Sequence, residues 1–174
     1  VKETGAKLMV MNTSCPNEGH NRLLCHNPLL VGRITEAVKQ EIGDIPLMVK
    51  LAYIPSDGDL ELMVRSTVGH GTVQGFSTIN TISAKLVDAN GNQALPGAGR
   101  DRSGVCGNAI RGAGLARLAA IREKLGLDFK INGVGGVVSP ADYQAYRNAG
   151  ADSVMSATGA MWDAELAHKI KASR

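Results

Sequence analysis

The feature that most restricts this chain is a regular alternation. Short apolar runs at 7–13, 46–52, 73–82, 128–134 and 153–158 read as strands. A helical pattern follows each of them, at 28–42, 59–68, 109–125, 140–149 and 161–172. Strands joined by single helices need crossover connections, so they run parallel in a buried sheet. Asn27-Pro28 and Ser139-Pro140 each offer an N-cap followed by proline at the first helical position. Gly43, Gly126 and Gly150 stand where a left-handed helix end favours glycine.

Gly5-Ala6-Lys7-Leu8, Gly71-Thr72-Val73 and Gly150-Ala151-Asp152-Ser153 each lead into a strand. Those strands end in small polar residues: Asn12-Thr13-Ser14, Asn80-Thr81 and Ala157-Thr158. In a βα barrel, ligand chemistry gathers at these C-terminal strand ends. A complete eightfold barrel takes ~250 residues. The 174 residues present therefore predict one α/β domain over 1–174, a partial TIM (β/α) barrel of about five parallel strand–helix units. Residues 83–105 break the rhythm. Asn90-Gly91 is a tight-turn signal, and its flanks predict a small hairpin excursion on the barrel rim.

Composition excludes several classes. Aromatics make up only 3% and the formal charge is +3, with Lys and Arg scattered, which argues against a nucleic-acid surface. No apolar stretch approaches the ~20 residues that span a bilayer, so no membrane partner is expected. Three cysteines, Cys15, Cys25 and Cys106, are too few and too odd for a secreted disulfide framework. They read as reduced thiols of a cytoplasmic protein. The opening Val-Lys-Glu-Thr, with a strand pattern almost at once, reads as a piece of something larger or a processed product.

Three places can carry chemistry. Gly133-Val134-Gly135-Gly136-Val137 precedes the Ser139-Pro140 helix start, and Ala157-Thr158-Gly159 lies one unit later. Adjacent glycines let backbone N–H groups approach a phosphate, and phosphate sites recur after the last two strands of a barrel. Lys50 ends a buried run, where it either reaches a partner or snorkels to solvent. Asn80 would point into the same mouth. Cys15 is followed by Pro16, which ends strand pairing and puts the thiol on a loop between two amides. A thiol of pKa ~8.5 can serve as a general base. Cys15, His20, Cys25 and His26 lie close in sequence but lack the C-x₂₋₄-C pairing of structural zinc sites, so no metal is expected.

In order, N-T-S-C-P-N (12–17), V-K-L (49–51), I-N-T (79–81), S-G-V-C-G-N-A-I-R (103–111), G-V-G-G-V (133–137) and A-T-G (157–159) resemble the FMN-binding barrel of the dihydroorotate dehydrogenases. The resemblance covers essentially the whole chain, from about the family's middle strand to its C-terminus. It is better to the soluble, cysteine-using branch than to the membrane-associated branch, which has serine at the base position. The resemblance implies oxidation of dihydroorotate to orotate in pyrimidine biosynthesis, with Cys15 taking the C5 proton while hydride passes to FMN. Asn12, Asn17, Asn80 and Thr81 would hold the pyrimidine substrate. Asn12, Lys50, Ile79, Gly107, Gly135, Gly136, Ala157 and Thr158 would contact the cofactor. Cys106 stands where serine is frequent, Arg111-Gly112 replaces the usual basic-Pro pair, and Ala157 takes a position often held by glycine.

The family's early strands are missing, which implies a fragment that alone binds FMN weakly or not at all. It would pair with the missing barrel half or form a homo-oligomer. An electron-transfer subunit is a further possible partner, and fumarate, a quinone or NAD all stay open as acceptor. Two alternatives remain. The excursion and its P-G-A-G-R-D-R-S-G-V-C-G-N-A-I-R ending also look like the pyrimidine-reducing domain of dihydropyrimidine dehydrogenase. A non-catalytic half-barrel that binds a phosphorylated ligand would keep the glycines and tolerate loss of Cys15.

Overall fold

The computed structural model describes residues 2–14, 23–97 and 102–173. Five parallel strands, β1 (Met9–Asn12), β2 (Leu47–Lys50), β3 (Gly75–Thr78), β6 (Lys130–Val134) and β7 (Ser153–Met155), form one sheet in that order. Between β3 and β6, β4 (Ile82–Lys85) and β5 (Arg102–Val105) make a separate antiparallel pair. Sheet order follows chain order, so every crossover steps the same way. With crossovers of one hand, helices then collect on one side of the sheet, as in a barrel. Among the described residues β1 and β7 remain open edges, so the barrel is not closed.

The helices are α1 (Pro28–Ile42), α2 (Asp57–Thr67), α3 (Arg111–Leu125), α4 (Pro140–Asn148), α5 (Thr158–Trp162) and α6 (Leu166–Ala172). Capping explains where they begin. The Asn27 side chain accepts from Leu30 N–H at 3.2 Å, Ser56 Oγ from Asp59 N–H and Ser139 Oγ from Asp142 N–H, both also at 3.2 Å. Gly43 closes α1 at φ 61° and Gly126 closes α3 at φ 69°, conformations that other residues rarely adopt. The single helix expected over 161–172 is instead two. Asp163 ends α5 by accepting Lys169 Nζ and Glu165 N–H on its carboxylate, and α6 starts afresh. The run at 73–82 likewise divides, its last residue opening β4.

Register partners share a face of the sheet. Leu47, Val49, Phe76 and Ile131 point to the helices and pack with Val31, Leu60, Met63, Leu118, Ile121 and Tyr146 in one core. Phe76 and Phe129 meet edge to face at 5.0 Å. The other face carries Val10, Asn12, Met48, Lys50, Ser77, Asn132, Ser153 and Met155. Val10 and Met155, on the two edge strands, are more than half exposed there. The hairpin excursion is present. Val87 bridges Gln93, and Asp88 N–H donates to Asn92 O at 2.8 Å across the Asn90-Gly91 turn. The main ladder of the excursion is β4 with β5, which shares only Lys85 with the flanks expected at 85–88 and 93–95.

Candidate functional site at the C-terminal strand ends

Asn12 ends β1 and Lys50 ends β2, as direct register partners. The chain beyond Asn12 is tied down at once. Ser14 donates to Asn12 Oδ1 from its N–H at 3.0 Å and its hydroxyl at 2.8 Å. Thr13 Oγ1 donates to Lys50 O at 2.8 Å, and Cys25 N–H donates to Thr13 O at 2.9 Å. Asn80, just past β3, reaches across with Nδ2 to Ser14 O at 3.1 Å. Asn12, Lys50 and Asn80 therefore converge on one mouth. Lys50 Nζ has no hydrogen bond or ion pair among the described residues.

Cys15 and Asn17 lie outside the described residues. Cys25 is 1% exposed within the core, and burial pushes its thiol pKa up, which makes it an inert small hydrophobe. Ile79 is buried, with Cγ1 3.5 Å from where a Cβ on Gly135 would stand. Thr81 packs over Gly104 of the excursion, so its side chain helps to seat the hairpin.

A second group forms a recess next to this mouth. Cys106, Gly107, Gly135, Gly136, Ala157 and Thr158 line it, together with Asn80, so one amide side chain belongs to both parts. Thr158 Oγ1 donates to Cys106 Sγ at 3.3 Å. The recess depends on missing side chains. A Cβ on Gly136 would stand 2.7 Å from Arg111 Cβ and 2.8 Å from Gly107 O, at φ 70°. Gly135, at φ 122°, and Gly136, at φ 70°, follow directly on β6. Successive backbone N–H groups in such a turn form an anion-binding concavity. The residues present thus fit a phosphate group.

Two supports for this recess escaped the sequence reading. Asp142, 3% exposed, accepts from Arg111, from Ser139 Oγ at 2.8 Å and from Val138 N–H at 3.1 Å. Burial alone would raise its pKa, but those hydrogen bonds and the Arg111 charge together hold it below the usual value. Tyr146 donates its hydroxyl to Gly135 O at 2.7 Å and also reaches Val134 O at 3.2 Å. A chain of Ser77, Asn132 and Ser153 also crosses the open face. Asn132 Nδ2 donates to Ser77 Oγ at 3.2 Å and Ser153 Oγ to Asn132 Oδ1 at 3.1 Å. The N-cap Ser139 hinted at Asp142 three residues on; nothing local hinted at the rest.

The family model described as dihydroorotate dehydrogenase matches residues 2–173. The chain belongs to the dihydroorotate dehydrogenase family. It is 37% identical over 176 residues to the dihydroorotate dehydrogenase of Dictyostelium discoideum, covering 96% of this chain and 46% of that protein. It is 30% identical to the catalytic subunit of an NAD(+)-type dihydroorotate dehydrogenase B of Methanocaldococcus jannaschii, covering 87% and 47%. A dihydroorotate dehydrogenase (quinone) of Methylibium petroleiphilum is also 30% identical, with 90% and 46% covered. The fold matches a crystal structure of Eimeria tenella DHODH in complex with ferulenol at TM-score 0.77 and 18% identity, over 96% of this chain and 48% of that one. The chain spans about half the length of the curated relatives it matches. Dihydroorotate dehydrogenases of quinone and NAD(+) types align alike, so membership leaves the acceptor undivided. No helix among the described residues is long and apolar enough to cross a membrane.

Proposed function

We propose that this chain is the C-terminal portion of an FMN-binding barrel that oxidises dihydroorotate to orotate, with Cys15 as general base. The observation that carries the reading is Asn80. It joins the mouth holding Asn12 and Lys50 to the glycine recess, so the two parts adjoin. Bound FMN supplies a hydride acceptor, chemistry no side chain here can provide. The protein's part is positional and electrostatic.

In this reading Gly107, Gly135, Gly136, Ala157 and Thr158 hold the ribityl phosphate through backbone N–H groups. Lys50 would offset negative charge on the reduced cofactor, and Ile79 would supply apolar contact to it. Asn12, Asn17, Asn80 and Thr81 grip the pyrimidine ring and its carboxylate. The tie from Ser14 to Asn12 fixes the entry to the 15–17 segment, and Cys15 accepts the substrate's C5 proton. Cysteine rather than serine at this position favours the soluble, cysteine-using branch, and fumarate, a quinone or NAD through a partner subunit all stay open as acceptor. Family membership supports the reaction; the open face of the sheet supports a barrel that further strands complete.

The test is spectroscopic. The purified full gene product should be yellow, release FMN on denaturation, and bleach anaerobically on addition of dihydroorotate. Cys15→Ser should keep the flavin and lose bleaching at neutral pH. A product that contains no flavin and binds none rejects the reading. Bleaching by NADPH with uracil as the favoured oxidant would transfer it to pyrimidine reduction.

A further inference from the structure

Tyr146 is the largest fully buried side chain of the core, and its hydroxyl is spent on the phosphate recess. It donates to Gly135 O at 2.7 Å and lies 3.2 Å from Val134 O. Val134 O has a second donor, Ile79 N–H at 2.8 Å, whereas Gly135 O has Tyr146 alone among the described residues. A trans peptide points its C=O and N–H in opposite directions. Holding Gly135 O against the core therefore turns the Gly136 N–H the other way, to the side where the recess lies.

Room for this hydroxyl is also arranged. A Cβ on Gly114 of α3 would overlap Tyr146 Oη and stand 3.2 Å from Val134 O. Glycine inside a helix costs about 1 kcal/mol relative to alanine, so its place here marks a packing demand. A phenylalanine would fill the core equally well. What the hydroxyl adds is the orientation of one peptide whose glycines are otherwise free to rotate.

We infer that Tyr146 is a positioning residue for the anionic phosphate of the ligand, acting through the Gly135–Gly136 peptide, with Gly114 as its clearance. The inference rests on the reading of the recess as the FMN phosphate site. It separates two ligands that share a ring system, FMN with its phosphate and riboflavin without it.

The experiment titrates the apoprotein of the full gene product with FMN and with riboflavin, following flavin fluorescence, for wild type and Tyr146→Phe. The variant should weaken FMN by about tenfold, the worth of one or two lost hydrogen bonds, and leave riboflavin within about twofold. Gly114→Ala, which displaces the hydroxyl without removing it, should lower the FMN to riboflavin preference in the same direction. It stands in should Tyr146→Phe fail to fold. If wild type binds FMN and both ligands weaken in parallel, or neither changes, Tyr146 is structural only and the inference falls by itself. A wild type that binds neither flavin overturns the phosphate reading and this inference with it.

Discussion

Asn12 and Lys50 are register partners at the C-terminal ends of β1 and β2, yet their polar groups are differently committed. Asn12 Oδ1 accepts twice from Ser14, while the Lys50 ammonium has no partner among the described residues. A cation at a strand end with no partner among the described residues is placed to serve a ligand. Lys50→Met should therefore leave the thermal midpoint nearly unchanged, within about 0.5 kcal/mol of stability. Flavin affinity and the rate of flavin reduction by dihydroorotate should both drop. Equal flavin content and rate in the variant would count against Lys50 as a cofactor contact.

Gly136→Ala tests the recess itself. The new Cβ meets Arg111 and Gly107 O in a left-handed backbone conformation, so strain and overpacking combine. A stability loss of about 2–4 kcal/mol should accompany loss of flavin. Chemical denaturation and the flavin-to-protein absorbance ratio read the two effects separately.

Asp142 gives a pH signature. Its folded pKa lies below the usual 3.8, so its contribution is complete above the unfolded value and is lost as pH falls through the folded one. Stability of the wild type should thus be flat from about pH 7 to 5 on this account and decline below about pH 4. Asp142→Asn should cost about 1–2 kcal/mol at neutral pH, a value discounted for the half-exposed Arg111 partner, and should flatten the acid limb. Urea midpoints measured from pH 7 down to 3 decide the matter.

Arg122 tests the far end of the fold. Its guanidinium donates to Gly126 O at 2.5 Å, Phe129 O at 2.8 Å, Gly150 O at 2.6 Å and Asp152 Oδ2 at 2.7 Å. It binds the end of α3 to the entries of β6 and β7. Arg122→Met keeps the aliphatic stem and strands these acceptors, which should cost about 2–4 kcal/mol. Because the strand-end mouth lies opposite, flavin affinity measured well below the unfolding transition should be preserved.

Local signals carried much of the architecture. Asn27-Pro28 with Gly43 bounded α1 at Pro28–Ile42 as the spacing predicts, and Ser139-Pro140 did the same for the start of α4. The alternation alone predicted the parallel order. What escaped were features that exist only after the chain is folded back. Asp163 breaks the last helix through a side-chain contact with Lys169, which periodicity does not see. Tyr146 went unmarked, since its partners at 134 and 135 become neighbours only when α4 docks. Arg111 and Asp142 are 31 residues apart, a separation across which no local pattern pairs them. The row from Ser77 to Ser153 needed the strand register. Asn12, Asn80 and the glycines were legible because strand ends announce themselves in small polar residues.

The most direct measurement mixes the full gene product with dihydroorotate in the absence of oxygen and follows absorbance near 450 nm. The account predicts bound flavin, bleached by dihydroorotate in the wild type and left oxidised in Cys15→Ser at neutral pH. Flavin that stays oxidised in the wild type, or a Cys15→Ser protein that bleaches as fast, would contradict it.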